Sequence, residues 1–420
     1  MGLLRDAAYL TGGLVALPWL LYKVATDRHY RDRLGERFGG GPAPAAGRVL
    51  WIHCASVGEV NLARPLVKGL KAAHPDLAFH VSAMTPAGRD YAPSAFPDAT
   101  VAYFPLDFSG AARRALRRLR PCGVVLVELE AWPNFLEECG RQNVPVAIVN
   151  GRMTERSFRR YRRFGWFFGG AFRGLSGVGA QNEAYAGRLR ELGAQPVVTG
   201  NLKFDADLAF DAVAEARLWR ESLGLGDAPL LVAGSTHDPE ERIVVEAYRK
   251  LRVPFPDLRL ILAPRHVDRA DEVQKVVEAA DLQCYKKSRS SPGGPGGGVI
   301  LLDTVGELSR LYSAATVVFI GGTFCARGGQ NMLEPAVLGK PIVSGPSLSN
   351  FEDIARTLTE AGGMKVLGDP AGLAPALEEF LRDPAGARAA GQRAAAAVEA
   401  GKGAIGATLR LIESSVLKGS

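Results

Sequence analysis

Two segments of this chain share a construction in which a short apolar run leads into small polar residues and then a carboxylate. Cys54 to Val60, CASVGEV, follows the run Val49 to His53, and Gly321 to Pro335, GGTFCARGGQNMLEP, follows Thr316 to Ile320. A turn of this kind between a strand and a helix exposes backbone N–H groups at a helix N-terminus, which suits an anionic ligand. Each turn also delivers a glutamate, Glu59 and Glu334. Two such turns far apart point to two α/β domains facing one cleft, where a transferase brings donor and acceptor together. Glu59 can serve as the base that takes the proton of an attacking hydroxyl, and the positive end of the following helix is expected to keep it ionised. Ser56-x-x-Glu59, with Gly58 between, is equally a capping box in which the glutamate only ties down a backbone N–H. The residues alone leave both readings open.

Other polar groups fall at the ends of apolar runs. Glu128 and Glu130 follow Gly123 to Val127, and glutamates two apart on an extended chain point the same way. Ion pairing to Arg152 or Lys203 is the alternative for them. Asn201 and Lys203, in GNLKFD, approach a domain junction. Ser235 and Thr236 follow the first strand of a second series, and Arg265, between Pro264 and His266, follows the next. Hydroxyls, N–H groups and a guanidinium fork at such ends suit a phosphate or carboxylate, with N-capping and a surface ion pair as the plainer uses. Thr304, Gly306 and Glu307 complete this set. Gly328 and Gly329 would let the backbone approach a donor, with Asn331 close by. Pro335 lacks the N–H that a capping box from Asn331 to Glu334 needs, so a helix is expected to start near Glu334.

The elements that hold these residues alternate between strand and helix, which predicts doubly wound parallel sheets. Strands are expected at Val49 to His53, Ala78 to Ser82, Val101 to Phe104, Gly123 to Val127, Val144 to Val149 and Val197 to Thr199, all buried. A second series runs through Leu230 to Ala233, Leu258 to Ala263, Val299 to Leu302, Val317 to Ile320 and Pro341 to Val343. Asp205 to Asp227 lacks strand character and marks the junction. Ser288 to Gly298, SRSSPGGPGGG, is expected to be a surface loop. Asp205-Ala206-Asp207 has the form of a metal-binding D-x-D but does not follow a buried strand. The boundaries expected are an anchor over 1–27, a first domain over 28–210, a second over 211–390, and terminal helices over 391–420 packing back on the first.

At 420 residues the chain exceeds one ordinary core, and 47% hydrophobic residues can fill two. The net charge of +7 favours anionic partners: a phospholipid surface, a phosphorylated substrate or nucleic acid. Five cysteines without a C-x-x-C pair suit a reducing compartment. The apolar run Ala7 to Leu21, broken by Gly12, Gly13 and Pro18, is followed by Lys23, Arg28, Arg31, Arg33 and Arg37. Signal peptide, anchor, span and buried helix all fit the run, a cleaved signal least, since no A-x-A-like site stands out after it. The positive flank is expected to keep the chain beyond Ala25 on the cytoplasmic face. Phe158, Tyr161 and Phe168 among Arg156, Arg159, Arg160, Arg162 and Arg163 read either as a basic amphipathic segment for an anionic membrane or as a solvated helix packed on the core. No G-x-G-x-x-G follows the first strand, which argues against a dinucleotide dehydrogenase.

Read together, SVGEV (56–60), ELEAWPN (128–134), NGRMTERS (150–157), GNLKFD (200–205), AGSTHDPEE (233–241), APRHVDR (263–269), DTVGEL (303–308), GGQNMLEP (328–335) and SGPSLSNFED (344–353) resemble the bacterial 3-deoxy-D-manno-octulosonic acid (Kdo) transferases of lipopolysaccharide inner-core synthesis. The N-terminal run followed by RLGERFG (33–39) fits too. The resemblance implies a GT-B fold of two Rossmann-like domains with an N-terminal membrane-anchor helix. It implies CMP-Kdo as donor and a tetra-acylated lipid A precursor as acceptor. It implies inversion at the anomeric carbon with no metal and no cofactor, and work at the cytoplasmic face of the inner membrane, with no nucleic-acid partner. It makes Glu59 the base, sets Ser56, Gly58, Arg152, Asn201 and Lys203 in the acceptor cleft with Glu128 and Glu130 around the acceptor or the base, and has Glu334 accept from a ribose diol. Gln330 stands where the family usually has histidine; it can replace the hydrogen bonds of a neutral imidazole but not its titration. A UDP-sugar transferase acting on a lipid, or a catalytically inactive lipid-binding homologue, are the alternatives, and a donor screen separates them.

Overall fold

The structure, a computed structural model, describes residues 2–26, 31, 33–42, 47–168, 170–205, 210–289 and 298–418. Arg28, the Ala206-Asp207 pair and 290–297 of the glycine-rich loop lie outside the described residues. The chain divides into two compact units, Met1–Asp205 with Lys402–Ser420, and Ala206–Gly401.

Apolar, β-branched runs fold here as strands buried on both faces, and the helices between them supply the crossovers, so every described strand pairing is parallel. In the first unit β1 (Arg48–Cys54), β2 (Leu77–Ala83), β3 (Thr100–Tyr103), β4 (Gly123–Val127), β5 (Val146–Gly151), β6 (Gly177–Ala180) and β7 (Pro196–Val198) lie in the order 3-2-1-4-5-6-7. The order reverses between β1 and β4, and ligands of such sheets bind beyond the strand ends at that reversal. In the second unit β8 (Leu230–Thr236), β9 (Arg259–Pro264), β10 (Cys284–Lys286), β11 (Val299–Leu301), β12 (Val317–Ile320), β13 (Ile342–Ser344) and β14 (Met364–Val366) lie in the order 10-11-9-8-12-13-14. Its reversal falls between β8 and β12. Each of the two like-built segments therefore begins at a reversal point.

The strand pattern departs from expectation in two ways. β6, β10 and β14 were not foreseeable from apolar runs, since they are three or four residues long and carry glycine or lysine. β7 is not buried: it is an edge strand paired only with β6, and Val197 and Val198 are 51% and 48% exposed. At the other end of the chain, the helix Pro384–Ala400 packs in the second unit, while Ile412, Val416 and Leu417 join the first unit's core with Leu50, Val125 and Ala147. Gly123 in β4 admits that segment, because a Cβ there would overlap Val416.

The N-terminal helix Gly2–Thr26 is docked at its start. Arg5 is buried and donates to the Phe167 carbonyl at 2.7 Å and to Glu137 at 2.6 Å. Tyr9 donates to Asp107 at 2.8 Å, and Asp6 accepts from the Ser109 N–H and the Asn134 amide. Further along, Leu10 and Tyr22 are exposed. Among the described residues no helix is long and apolar enough to cross a membrane. In the arginine-rich helix Glu155–Arg163, Phe158 and Tyr161 are buried in the core, so the apolar face expected to be available is spent on packing. The exposed aromatics beside the arginines are Phe164 and Trp166.

Candidate active site

Beyond β1 the chain turns at Ala55 and Ser56 into the helix Val57–Ala73, with Ser56 as N-cap. The capping box closes loosely. Ser56 Oγ is 3.5 Å from the Glu59 N–H, and the Glu59 carboxylate reaches past Ser56 to accept from the Ala55 N–H at 2.6 Å. The Ser56 hydroxyl donates to its other oxygen at 3.2 Å. Glu59 is 9% exposed, whereas neighbouring Gly58 is exposed. The expected effect of the helix N-terminus is outweighed here. Burial, with the charges of Glu128 and Glu130 adding to it, pushes the Glu59 carboxyl up to about 8 against the pull of the Ala55 N–H and Ser56.

Glu128 and Glu130 come from the far side of the reversal, after β4, and both act on Glu59. They do not reach it by strand alternation. Glu128 has φ of 60°, a left-handed conformation that ends the extended chain. Glu130 accepts from Trp132 Nε1 at 2.9 Å, and burial raises its pKa. Behind it, one residue outside the motifs comes forward. His53, in β1, is fully buried, stacks on Phe104 at 4.0 Å between centroids, and has Nε2 4.0 Å from Glu130. Its signal was an imidazole inside the apolar run Trp51 to Cys54. Asn150, first residue of the NGRMTERS motif but not singled out, stands next to last in β5 with φ of 54° and accepts the Leu202 N–H at 3.0 Å. That bond ties the turn carrying Asn201 and Lys203 back to the sheet. Arg152 is partly buried just beyond β5.

In the second unit Ser235 and Thr236 are the last residues of β8 rather than beyond it. Ser235 has φ of 54°, and the buried Thr236 Oγ1 has no hydrogen-bond partner among the described residues. Pro264 ends β9, the Arg265 N–H donates to the Thr236 carbonyl at 2.9 Å, and the Arg265 and His266 side chains are exposed. Across the reversal, Gly328 and Gly329 have φ of 79° and 81°, and a Cβ on Gly328 would crowd Ser349 and Asn350. Leu333–Val337 forms a short helix, with Asn331 accepting the Leu333 N–H at 3.1 Å and donating to Glu334 at 3.0 Å. Burial raises the Glu334 pKa against that bond. Gln330 lies 3.2 Å from His237 Nε2, so an imidazole stays next to the position where the family's histidine is absent. The Glu307 carboxylate is engaged by Lys287 at 2.6 and 2.8 Å and by Thr304. Gly306 is exposed beside them.

The two turns of this unit are locked by a residue not singled out in the sequence. Glu240 is fully buried and accepts the N–H groups of His237, Gly322, Thr323 and Phe324 at 3.0, 2.6, 2.7 and 2.8 Å. Its oxygens bind the β8 turn to the β12 turn, and three of the four donors lie more than 80 residues away in the chain.

A family model described as 3-deoxy-D-manno-octulosonic-acid transferase (kdotransferase) matches residues 32–206. The 3-deoxy-D-manno-octulosonic acid transferase of Bordetella pertussis is 35% identical over 394 residues, covering 91% of this chain and 90% of that protein. That of Haemophilus influenzae is 31% identical over 354 residues, 82% of each. Among solved structures, a glycosyltransferase from Rickettsia africae superposes with a TM-score of 0.60 at 11% identity, covering 90% of this chain and 100% of that one. The UDP-GlcNAc 2-epimerase of Neisseria meningitidis gives 0.57 at 12% identity, covering 88% and 100%. These structural likenesses establish the fold, GT-B, and the sequence relatives establish the lineage: the chain belongs to the Kdo transferase family of glycosyltransferases.

Proposed function

We propose that the protein transfers Kdo from CMP-Kdo to a tetra-acylated lipid A precursor, with Glu59 as general base and inversion at the anomeric carbon. The observation that carries this is the Glu59 carboxyl, buried at the β1/β4 reversal with one backbone N–H and one hydroxyl on it and two more carboxylates acting on it. A carboxyl at about 8 is a stronger base than an ordinary glutamate, so it takes a hydroxyl proton more readily once it has lost its own. In the reaction the acceptor oxygen bonds to the anomeric carbon from the face opposite the phosphate. The bond from that carbon to the phosphate oxygen breaks, CMP leaves with the electron pair, and the acceptor's proton passes to Glu59.

For the donor, the Thr236 hydroxyl and the strand-end N–H groups at Ser235 and Thr236 suit the phosphate, Arg265 and His266 the anionic groups beside it, and Glu334 the ribose hydroxyls. The close approach permitted by Gly328 and Gly329 supports the same side. Loss of a single phosphate group develops less charge than loss of a diphosphate, so no metal or cofactor is invoked. The lipid acceptor places the work at the cytoplasmic face of the inner membrane. Exposed Phe164 and Trp166 among arginines, with the exposed stretch of the N-terminal helix, support that surface.

Purified protein with CMP-Kdo and a tetra-acylated, bisphosphorylated lipid A precursor should release CMP and give lipid heavier by one or more Kdo units, unchanged by EDTA. CMP release absent with CMP-Kdo but nucleotide release with a UDP-sugar would replace the donor assignment.

A further inference from the structure

The group of carboxylates around Glu59 raises a question of proton ownership, since base catalysis works best when one of them carries the exchangeable proton. His53 bears on it. Its Nδ1 lies 3.2 Å from the Ser82 carbonyl oxygen and 3.0 Å from Ser82 Oγ, while that Oγ accepts from Trp51 Nε1 at 2.8 Å. A carbonyl oxygen can only accept, so the ring proton is assigned to Nδ1, where it satisfies both Ser82 contacts and leaves Nε2 a bare acceptor; in the other tautomer the Ser82 hydroxyl would donate to Nδ1 and the carbonyl contact would go unpaired. Nε2 is buried, has no hydrogen-bond partner among the described residues, and points at Glu130 from 4.0 Å. Packing against Phe104 fixes the ring, and burial drives its pKa down to about 3, so it stays neutral.

We infer that His53 is a positioning residue for the carboxylate group: its Nε2 accepts the proton of the Glu130 carboxyl, so that Glu130 stands neutral and Glu59 alone exchanges the reaction's proton. The gap of 4.0 Å exceeds a hydrogen bond, and the Glu130 oxygen nearest Nε2 is the one that accepts from Trp132 Nε1, so the inference requires the Glu130 side chain to move toward the ring when substrate binds, as contacts of catalytic groups tighten in the complex. The other titratable groups acting on this pair are Glu59, Glu128 and Tyr161, and Cys54 lies against Glu59. Arg160 bonds the Tyr161 hydroxyl beyond them; none of the four is itself a cation, and a second ionised carboxylate would repel the charge on Glu59. A neutral Glu130 removes that repulsion and leaves burial, the largest cause, with Glu128 to hold the Glu59 carboxyl up.

The kinetic consequence rests on Glu59 being the base; the tautomer does not, and it is tested first. In full-length protein with 15N-labelled histidine, His53 is assigned by the resonance lost in His53→Gln. It should show Nδ1 protonated and Nε2 bare at every pH from 5 to 9, and its Nε2 resonance should move downfield in Glu130→Leu. A proton on Nε2, titration within that range, or an Nε2 resonance unmoved by Glu130→Leu overturns the inference. In kinetics, His53→Phe should move the acidic limb of kcat/KM up by about half to one pH unit, lowering the rate at pH 7 about three- to tenfold. His53→Gln, which keeps an acceptor, should restore it in part. A uniform loss at all pH values would mark a structural role only. If the resonances behave as stated while wild type transfers no Kdo, the proposed function fails and the inference about His53 stands.

Discussion

Glu59 and Glu240 occupy corresponding places. Each opens the helix that follows the strand beside its sheet's reversal, β1 in one unit and β8 in the other. Both are buried, but Glu240 accepts four backbone N–H groups and Glu59 one, with a serine hydroxyl. A carboxylate with every lone pair engaged is a bolt, here holding two turns in register. One left short of donors among other carboxylates keeps a proton near neutrality and can trade it. Residue type and topological position do not distinguish the two roles; the count of donors does.

Exchanging each carboxylate for an amide separates the two roles most clearly. Glu59→Gln should lower kcat by about 10²- to 10⁴-fold with no fall in melting temperature, measured as CMP release and by calorimetry. Glu240→Gln should do the reverse in kind. Its amide N–H₂ meets N–H donors, leaving buried groups unsatisfied at a cost of about 1–3 kcal/mol each, so melting temperature falls sharply and donor KM rises. A Glu240→Gln protein as stable as wild type would show that the four bonds are not a lock.

Proton linkage sharpens the contrast further. The Glu59 pKa is raised in the fold from 4.5 to about 8, so the folded state holds the proton more tightly than the unfolded chain. That contribution is fully present below 4.5 and is lost as pH rises to about 8. Wild type should therefore lose stability across this window relative to Glu59→Gln in parallel melts. A constant difference between the two would mean that the carboxyl is not desolvated. The smallest effect concerns the surface: Trp166→Ala with Phe164→Ala should weaken binding to anionic vesicles several-fold and leave turnover on detergent-dispersed acceptor unchanged.

Much of this was legible in the residues. Apolar runs located most strands to within a residue or two, and the motifs at their ends lie where the sheets reverse. Depth was not legible. The capping pattern at Ser56 gives a helix start, whose dipole argues for an ionised Glu59, while the burial that overrides it, with the carboxylates that follow β4, arises only in the folded sheet. Glu128 reads as extended because a left-handed turn leaves no mark in a glutamate. Glu240 carries no local signal because its donors come from a distant loop, and the fully buried imidazole of His53 is visible only as one polar letter in an apolar strand. Short strands such as β6, with two glycines in four residues, carry no periodic signal at all.

The most direct test of the account is the pH dependence of kcat/KM for CMP release between pH 5.5 and 9.5, wild type beside Glu59→Gln. The base must be deprotonated, so the wild-type rate should climb with pH to a plateau with a midpoint near 8, as burial of Glu59 requires, and the residual rate of the variant should lack that limb. A wild-type profile flat over the range, or the same limb persisting in Glu59→Gln, would contradict the assignment of Glu59 as the proton acceptor.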